Sequence, residues 1–340
     1  PEQLDLIRDD AFEFCFVVDF PMYENDEETG ETIFTHNPFS MPQGGMEALL
    51  TKDPTEVLAY QYDLVCNGIE LASGAVRNHD IDIMKKAFDI AGYSEEELHR
   101  PLIAVVNSWN EYNPGHVHLD KLAERVKQGI REAGGLPVEV MTTAVCDGMV
   151  MKDPRYIEVP SRNLIADQVE LTSESNMFDG MVLLSTCDSI VPGHLMGAAR
   201  VNIPTILVTG GYMPLGHCRG QEVLHIHAQD KVGAAHKGAM DMDLYNDLIE
   251  NSWGTCGACT SMTTANSMCM VSEALGMSLP NNATMDATGS QLYKLAYEAG
   301  KQIMYLVEHD IKARDIMTVD AIKNAWAMPQ LVAAIMFLQA

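Results

Sequence analysis

The chain reads as an α/β protein in which a parallel sheet carries helices on both faces and is preceded by a β-rich α+β segment. Three observations predict this. From Leu102 onward, short apolar runs alternate with amphipathic stretches, the grammar of βαβ units. Before that, aromatic and β-branched runs are separated by acidic, turn-forming sequence. Charge is also uneven: residues 1–98 hold 5 Lys/Arg against 22 Asp/Glu, so −17 of the −26 net charge falls in under a third of the 340 residues.

In chain order, Phe12 to Phe20 (FEFCFVVDF) predicts a strand, Glu24 to Glu31 an acidic turn, and the run around Ile33 and Phe34 a second strand closing a hairpin. Thr55 to Asn67 has helical apolar spacing, and Gly68 to Val76 returns to strand-like sequence. Leu102 to Val106 predicts a buried strand, Val117 to Ala133 a helix stopped by Gly134-Gly135, and Leu136 to Val145 a strand. The unit then recurs. Ser161 to Thr172 predicts a helix, Met181 to Thr186 a strand, His194 to Val201 a short helix, and Pro204 to Thr209 a strand running into Gly210-Gly211. Beyond about Leu248 the pattern is helical, through Thr263 to Leu275, Gln291 to Glu308 and Asn324 to Ala340. The acidic run Glu95 to Glu97 predicts a solvated helix face.

With 47% hydrophobic residues the chain can bury a large core. Its −26 charge argues against broad binding to nucleic acid or an anionic membrane. No apolar run approaches the roughly 20 residues of a membrane span, and no signal peptide opens the sequence, so a soluble, cytoplasmic protein without a membrane partner is expected. Eight cysteines are too few for a disulfide scaffold in a chain of this length.

In an open parallel sheet, ligands gather beyond the carboxyl ends of the strands. Two predicted strands run into Cys-Asp pairs there, Cys146-Asp147 and Cys187-Asp188, and Cys256 and Cys259 lie just before the helix expected near Thr263. Three such ends supplying one thiolate each would suit an iron–sulfur cluster with an open coordination position. The neighbouring aspartates are hard ligands better matched to Mg²⁺. Together they suit elimination of water from a hydroxy acid. The competing reading is ordinary buried cysteines with turn aspartates. Cys15, Cys66, Cys218 and Cys269 lack this context and are expected to be packing residues.

The segments NSWNEYNPGHVHL (107–119), AVCDGMVM (144–151), SRNLIADQVE (161–170), FDGMVLLSTCDSIVPGHLMGAARVNIPTILVTGG (178–211) and GACTSMTTANSM (257–268) resemble the dihydroxy-acid dehydratase and phosphogluconate dehydratase family, in the family's order across residues 99 to about 327. The resemblance implies that residues 99–340 are that family's N-terminal domain. Cys187 and Cys259 match its shared cluster cysteines, Asp147 and Asp188 match its Mg²⁺ ligands, and Cys146 stands where the phosphogluconate branch places a cluster cysteine. The implied cofactors are a two-iron or four-iron sulfur cluster and Mg²⁺. The implied activity is a hydro-lyase acting on a 2,3-dihydroxy carboxylate of branched-chain amino-acid synthesis, with sugar acids as the alternative substrates and a homodimer as the expected assembly.

Three departures stand out. Gly115 replaces a cysteine that some members carry after Asn-Pro, and Ser189 replaces the lysine of the family's Cys-Asp-Lys. The family's second domain, which supplies another Mg²⁺ carboxylate and the serine proposed as base, is expected beyond Ala340, so no catalytic base is assigned here and turnover by the chain alone is not expected.

Residues 1–98 resemble the catalytic domain of bacterial-type aspartyl-tRNA synthetase, a class II synthetase, through RDDAFEFCFVVDFPMYE (8–24), FTHNPFSMPQGG (34–45) and YQYDLVCNGIELASGAVRNHD (60–80). The resemblance implies amino-acid contacts from His36 and Arg77 and an ATP-facing Glu70. Other motifs of that family, its anticodon module among them, are absent from the sequence, so aminoacylation and tRNA binding are not expected. The switch between the two resemblances falls within residues 78–100. Among smaller motifs, Gly210-Gly211 reads as a tight turn, and His116 and His118 as helix-capping or pocket-packing residues rather than a zinc site.

Overall fold

The computed structural model describes residues 11–27, 29–94, 99–149 and 159–328. The chain divides into two compact units, Pro1–Arg100 and Pro101–Ala340. The expected face at Glu95 to Glu97, the start of the 8–24 motif and the end of the helix expected over Asn324 to Ala340 lie outside the described residues.

In the first unit, β1 (Phe14–Pro21) pairs antiparallel with β4 (Leu58–Cys66), which pairs with β5 (Ile69–Ala75). The expected hairpin is drawn differently. Asp19 adopts φ 61° at a register shift between Val18 and Phe20, and beyond this bulge β2 (Tyr23–Asn25), not β1, pairs with β3 (Thr32–Phe34). The helix expected over Thr55 to Asn67 is a single turn at Pro54–Glu56 followed by β4. Asn67 and Gly68, with φ 51° and 82°, turn the chain tightly into β5, and that two-residue turn outweighs the helical spacing before it. Helices α1 (Gly45–Thr51) and α2 (Ile81–Ile90) complete a small core with Met22, Tyr23, Leu49, Val57, Ala59 and Ala87. Cys66 is buried, whereas Cys15 is exposed and not the packing residue expected.

In the second unit, β6 (Leu102–Asn107), β7 (Leu136–Met141), β8 (Gly180–Ser185) and β9 (Thr205–Thr209) form one parallel sheet in the order β7-β6-β8-β9. Alternate strand residues face opposite sides. Ile103, Val105, Val182 and Leu184 pack with α3 (Leu119–Glu132) and α9 (Ser290–Glu308) on one face. Ala104, Val106, Met181 and Leu183 pack on the other with α4 (Val159–Asn176), α5 (Ile190–Val201) and α8 (Thr264–Ala274). Helices on both faces are thus as expected. A hairpin of β10 (Gly216–Cys218) and β11 (Gln221–Val223) leads into α6 (His225–His236) and α7 (Met242–Asn251), and α10 (Ala313–Ile316) follows α9.

Two boundaries differ from expectation. β7 stops at Met141, not Val145, because its neighbour β6 ends at Asn107, directly opposite Met141, and the residues beyond have no ladder to join. α5 begins at Ile190, not His194, because the Cys187 carbonyl accepts the N–H groups of Ile190 and Val191, and Pro192 in a first turn forfeits no helical bond.

Candidate functional site

β6 has β7 on one side and β8 on the other, so the connection leaving β6 runs through α3 on one face of the sheet while that leaving its neighbour β8 runs through α5 on the other. Such a switch point opens a crevice. The residues after all three strands meet at a cavity of about 440 Å³, whose wall includes Asn113 and Gly115 after β6, Cys146 and Asp147 after β7, and Cys187 and Asp188 after β8. Cys259 joins them from the segment before α8, His225 and Gln229 from α6, and Trp253 from just past α7.

Backbone bonds lace these loops into a fixed frame. Gly257 N–H donates to the Pro114 carbonyl at 3.1 Å, Ala258 N–H to Gly211 at 2.8 Å, and Met213 N–H to Ala258 at 2.7 Å. Gly211 carries φ 76° at this crossing, where a side chain would fall on the Met285 carbonyl oxygen. Gly210-Gly211 is therefore a tight turn that supports the site without lining it. His118 occupies the N-cap of α3 yet makes no side-chain cap bond; its Nε2 is 2.7 Å from the Gly210 carbonyl oxygen. His116 reaches the Cys187 backbone. Both histidines are buried outside the cavity wall, and neither caps a helix as expected.

Cys187 is buried and its Sγ lies 3.6 Å from the Asn113 side-chain amide. Burial pushes its thiol well above the ordinary range; charge on Cys146 adds to this, the Asn113 contact opposes it, and Cys259 and Asp188 raise it further. Burial likewise raises Cys146, with the backbone N–H groups of Met149 and Gly148 opposing and Asp147 and Asp188 adding. Cys259 is raised by burial, with the Thr263 hydroxyl beside it opposing, and Thr263 Oγ1 is buried with no hydrogen-bond partner among the described residues. His225 is held below the usual histidine range by burial, with Asp147 opposing.

Among the described residues this wall carries three thiols, two carboxylates and no lysine or arginine, and charge on Cys146 raises both Cys187 and Cys259. A bound cation would relieve the repulsion and release the thiol protons. Among the described residues, no three Cys, His, Asp or Glu side chains are close enough to hold a single metal ion. Soft donors spread around a cavity match a multi-atom cluster better than one ion, and the orphaned Thr263 hydroxyl is a donor such a group could use. For Mg²⁺ the wall offers the Asp147 and Asp188 carboxylates, and Ser189 beside them is buried at the N-cap of α5.

The structure brings Cys146, Cys187, Cys259, Asp147 and Asp188 to one cavity and leaves Cys256 out of its wall. In the first unit, His36, Glu70 and Arg77 are exposed, and no hydrogen bond or ion pair joins them among the described residues. His36 packs edge-on against Phe20, and Glu70 sits opposite Val65 in the sheet. Sequence reasoning missed His225, Gln229 and Trp253. Their one sequence signal, the i, i+4 spacing of two polar residues at the start of α6, is common on any helix.

Residues 100–334 match the family described as Dihydroxy-acid/6-phosphogluconate dehydratase N-terminal, and residues 3–119 match tRNA synthetases class II (D, K and N). A dihydroxy-acid dehydratase of Caldicellulosiruptor saccharolyticus is 48% identical over 255 residues, which is 72% of this chain and 46% of that protein. One from Pyrococcus furiosus is 46% identical over 246 residues, covering 72% of this chain and 44% of its own length. The chain thus spans about half the length of the curated relatives it matches. No helix among the described residues is long and apolar enough to cross a membrane.

Proposed function

The chain belongs to the dihydroxy-acid/6-phosphogluconate dehydratase family, and from that premise we propose that its second unit is the cofactor-binding part of a hydro-lyase removing water from a 2,3-dihydroxy carboxylate. The observation that carries the reading is the convergence of Cys146, Cys187 and Cys259 with Asp147 and Asp188 on one cavity whose wall has no lysine or arginine among the described residues. Cys146, Cys187 and Cys259 would hold an iron–sulfur cluster, and Asp147 and Asp188 would hold Mg²⁺. Bound together, these groups supply Lewis acidity at a departing hydroxyl and charge stabilisation at a substrate carboxylate.

The chain's own residues arrange this pocket. Asn113 orients the Cys187 thiol, and the frame of bonds from Gly257, Ala258 and Met213 sets the approach of Cys259. Met149, Met213 and Trp253 give the wall its apolar area, which limits water around the reacting groups. The proposal assigns no general base to this chain. The names of the relatives support a dihydroxy acid as substrate, and the acids of branched-chain amino-acid synthesis are the first reading. Sugar acids are the second reading, favoured by the thiol of Cys146 at the cavity.

Anaerobic purification with iron and sulfide analysis and a visible spectrum tests the centre. Brown protein carrying iron and sulfide, bleached in Cys187→Ala, is expected, together with formation of a 2-keto acid from 2,3-dihydroxy-3-methylbutanoate when the part of a relative that this chain does not span is added. Soluble, colourless, iron-free protein after reconstitution would remove the cluster from the reading.

A further inference from the structure

Thr263 stands at the N-cap of α8, where a threonine ordinarily accepts a hydrogen bond from an amide of the first turn. Here its side chain makes no cap bond. Its Oγ1 is buried with no hydrogen-bond partner among the described residues, although the residue belongs to the wall of the cavity that Cys259 also lines. The turn between the two is pinned from the helix. Asn266, only 9% exposed, donates from Nδ2 to the carbonyl oxygens of Cys259 and Ser261 at 2.8 Å each. The Thr263 N–H donates to the Ser261 carbonyl at 2.7 Å. Within this turn the Thr263 hydroxyl lies beside the Cys259 thiol, where it opposes the effect of burial.

A neutral thiol is a weak acceptor, so the hydroxyl gains little from it in the empty site. A cluster-bound sulfur carries negative charge, and a hydrogen bond to it is charge-assisted. We propose that the Thr263 hydroxyl donates to the Cys259 sulfur when an iron–sulfur cluster is bound, and that this bond raises the cluster's reduction potential. The proposal rests on the cluster reading of the cavity and deepens it. Reduction adds negative charge to the cluster, so a donor at a ligand sulfur favours the reduced form. The hydroxyl, withheld from the helix cap and buried beside the thiol, is then satisfied by loading the site. Thr263 acts through Cys259 and is a positioning residue.

Anaerobic reconstitution of the full chain, with dithionite reduction followed by electron paramagnetic resonance, tests it, alongside urea denaturation of the unloaded protein. Thr263→Val keeps the side-chain shape without the hydroxyl, and Thr263→Ser keeps the hydroxyl. The Val variant is expected to reduce at a more negative potential, by about a tenfold change in the one-electron equilibrium constant, or about 59 mV. The Ser variant should stay near the parent, and the unfolding midpoint should hold in both, since no cap bond is lost. Loss of the cluster from the Val variant alone, restored in the Ser variant, is the same dependence in stronger form. Equal potentials for parent and Val variant, or a Ser variant displaced as far as Val, overturn the assignment and leave the cluster reading standing. A parent chain that takes up no iron or sulfide overturns the cluster reading and this bond with it.

Discussion

The backbone N–H of Cys187 donates to Nε2 of His116 at 3.2 Å, across 71 residues of chain. That bond fixes the tautomer, since Nε2 must be bare and Nδ1 must carry the hydrogen. Nδ1 is accordingly 2.9 Å from the Ser108 carbonyl oxygen and 2.9 Å from Ser108 Oγ, whose own hydrogen goes to the Leu184 carbonyl at 2.6 Å. The ends of β6 and β8 and the thiol-bearing loop are thereby tied through one fully buried imidazole. His116 acts as a positioning residue.

His116→Phe should leave the Cys187 N–H and the Ser108 carbonyl buried without this partner, while Ser108 Oγ keeps its bond to Leu184. Urea denaturation is expected to show a loss of about 1–3 kcal/mol. Iron retained per chain after anaerobic reconstitution should fall as well. His116→Gln, which keeps a side-chain acceptor, should recover part of both. Unchanged iron content in the Phe variant would mean that the Cys187 loop holds its shape without the imidazole.

Gly115 bears on the same thiol from the opposite direction. A Cβ there would lie 2.7 Å from Cys187 Sγ and 3.3 Å from Asn113 Oδ1. Gly115→Ala should therefore push Sγ off its position by crowding, at a stability cost of about 1–3 kcal/mol. Iron per chain should drop more steeply than the unfolding midpoint. Retention equal to the parent would show that Cys187 turns aside freely.

How much of this was legible in the sequence follows from which forces are local. The parallel sheet and the helices between its strands could be read because Leu102–Asn107, Gly180–Ser185 and Thr205–Thr209 are unbroken apolar runs that must be buried on both sides. The strand-end rule then placed Cys146 and Cys187 at the crevice. In the first unit, spacing misled: Leu58–Cys66 shows apolar residues at helical intervals, but its conformation is set by pairing with β1, some 45 residues away along the chain, and by the Asn67-Gly68 turn. The bulge at Asp19 left no mark that separates it from an ordinary strand residue. His225 was illegible for a related reason. Its place in the cavity wall is set by contacts with Trp253, Thr260 and Ser261, which only tertiary structure brings to it.

The sheet face that supports the site depends on a close helix crossing. A Cβ on Gly300 of α9 would fall on the Val126 carbonyl oxygen of α3, and one on Gly129 would fall on the Tyr297 carbonyl oxygen. Alanine would add up to about 1 kcal/mol of helix propensity at Gly300. The obstacle, though, is backbone on a packed helix, and the crossing must open to relieve it. Gly300→Ala should therefore destabilise, by about 1–3 kcal/mol on balance. A thermal melt with a raised midpoint would show that the helices separate without penalty.

His194 predicts how stability follows pH. It is fully buried on α5, its Nε2 lies 2.8 Å from Thr142 Oγ1, and its Nδ1 has no partner among the described residues. Burial lowers its pKa to about 3. The same ring in the unfolded chain titrates near 6.5. Above that pH both states are neutral and the full contribution to stability is present. As the pH falls from about 6.5 toward 3, the unfolded chain takes up a proton that the folded one refuses, so stability is lost at up to about 1.4 kcal/mol per pH unit for this one group. His116, lowered to about 3 chiefly by burial, adds in the same direction. His194→Gln should therefore flatten the acid limb without abolishing it, read as the slope of unfolding free energy against pH between 4.5 and 6.5. Parallel slopes for parent and variant would mean that His194 is protonated inside the fold, or is exposed to water before global unfolding begins.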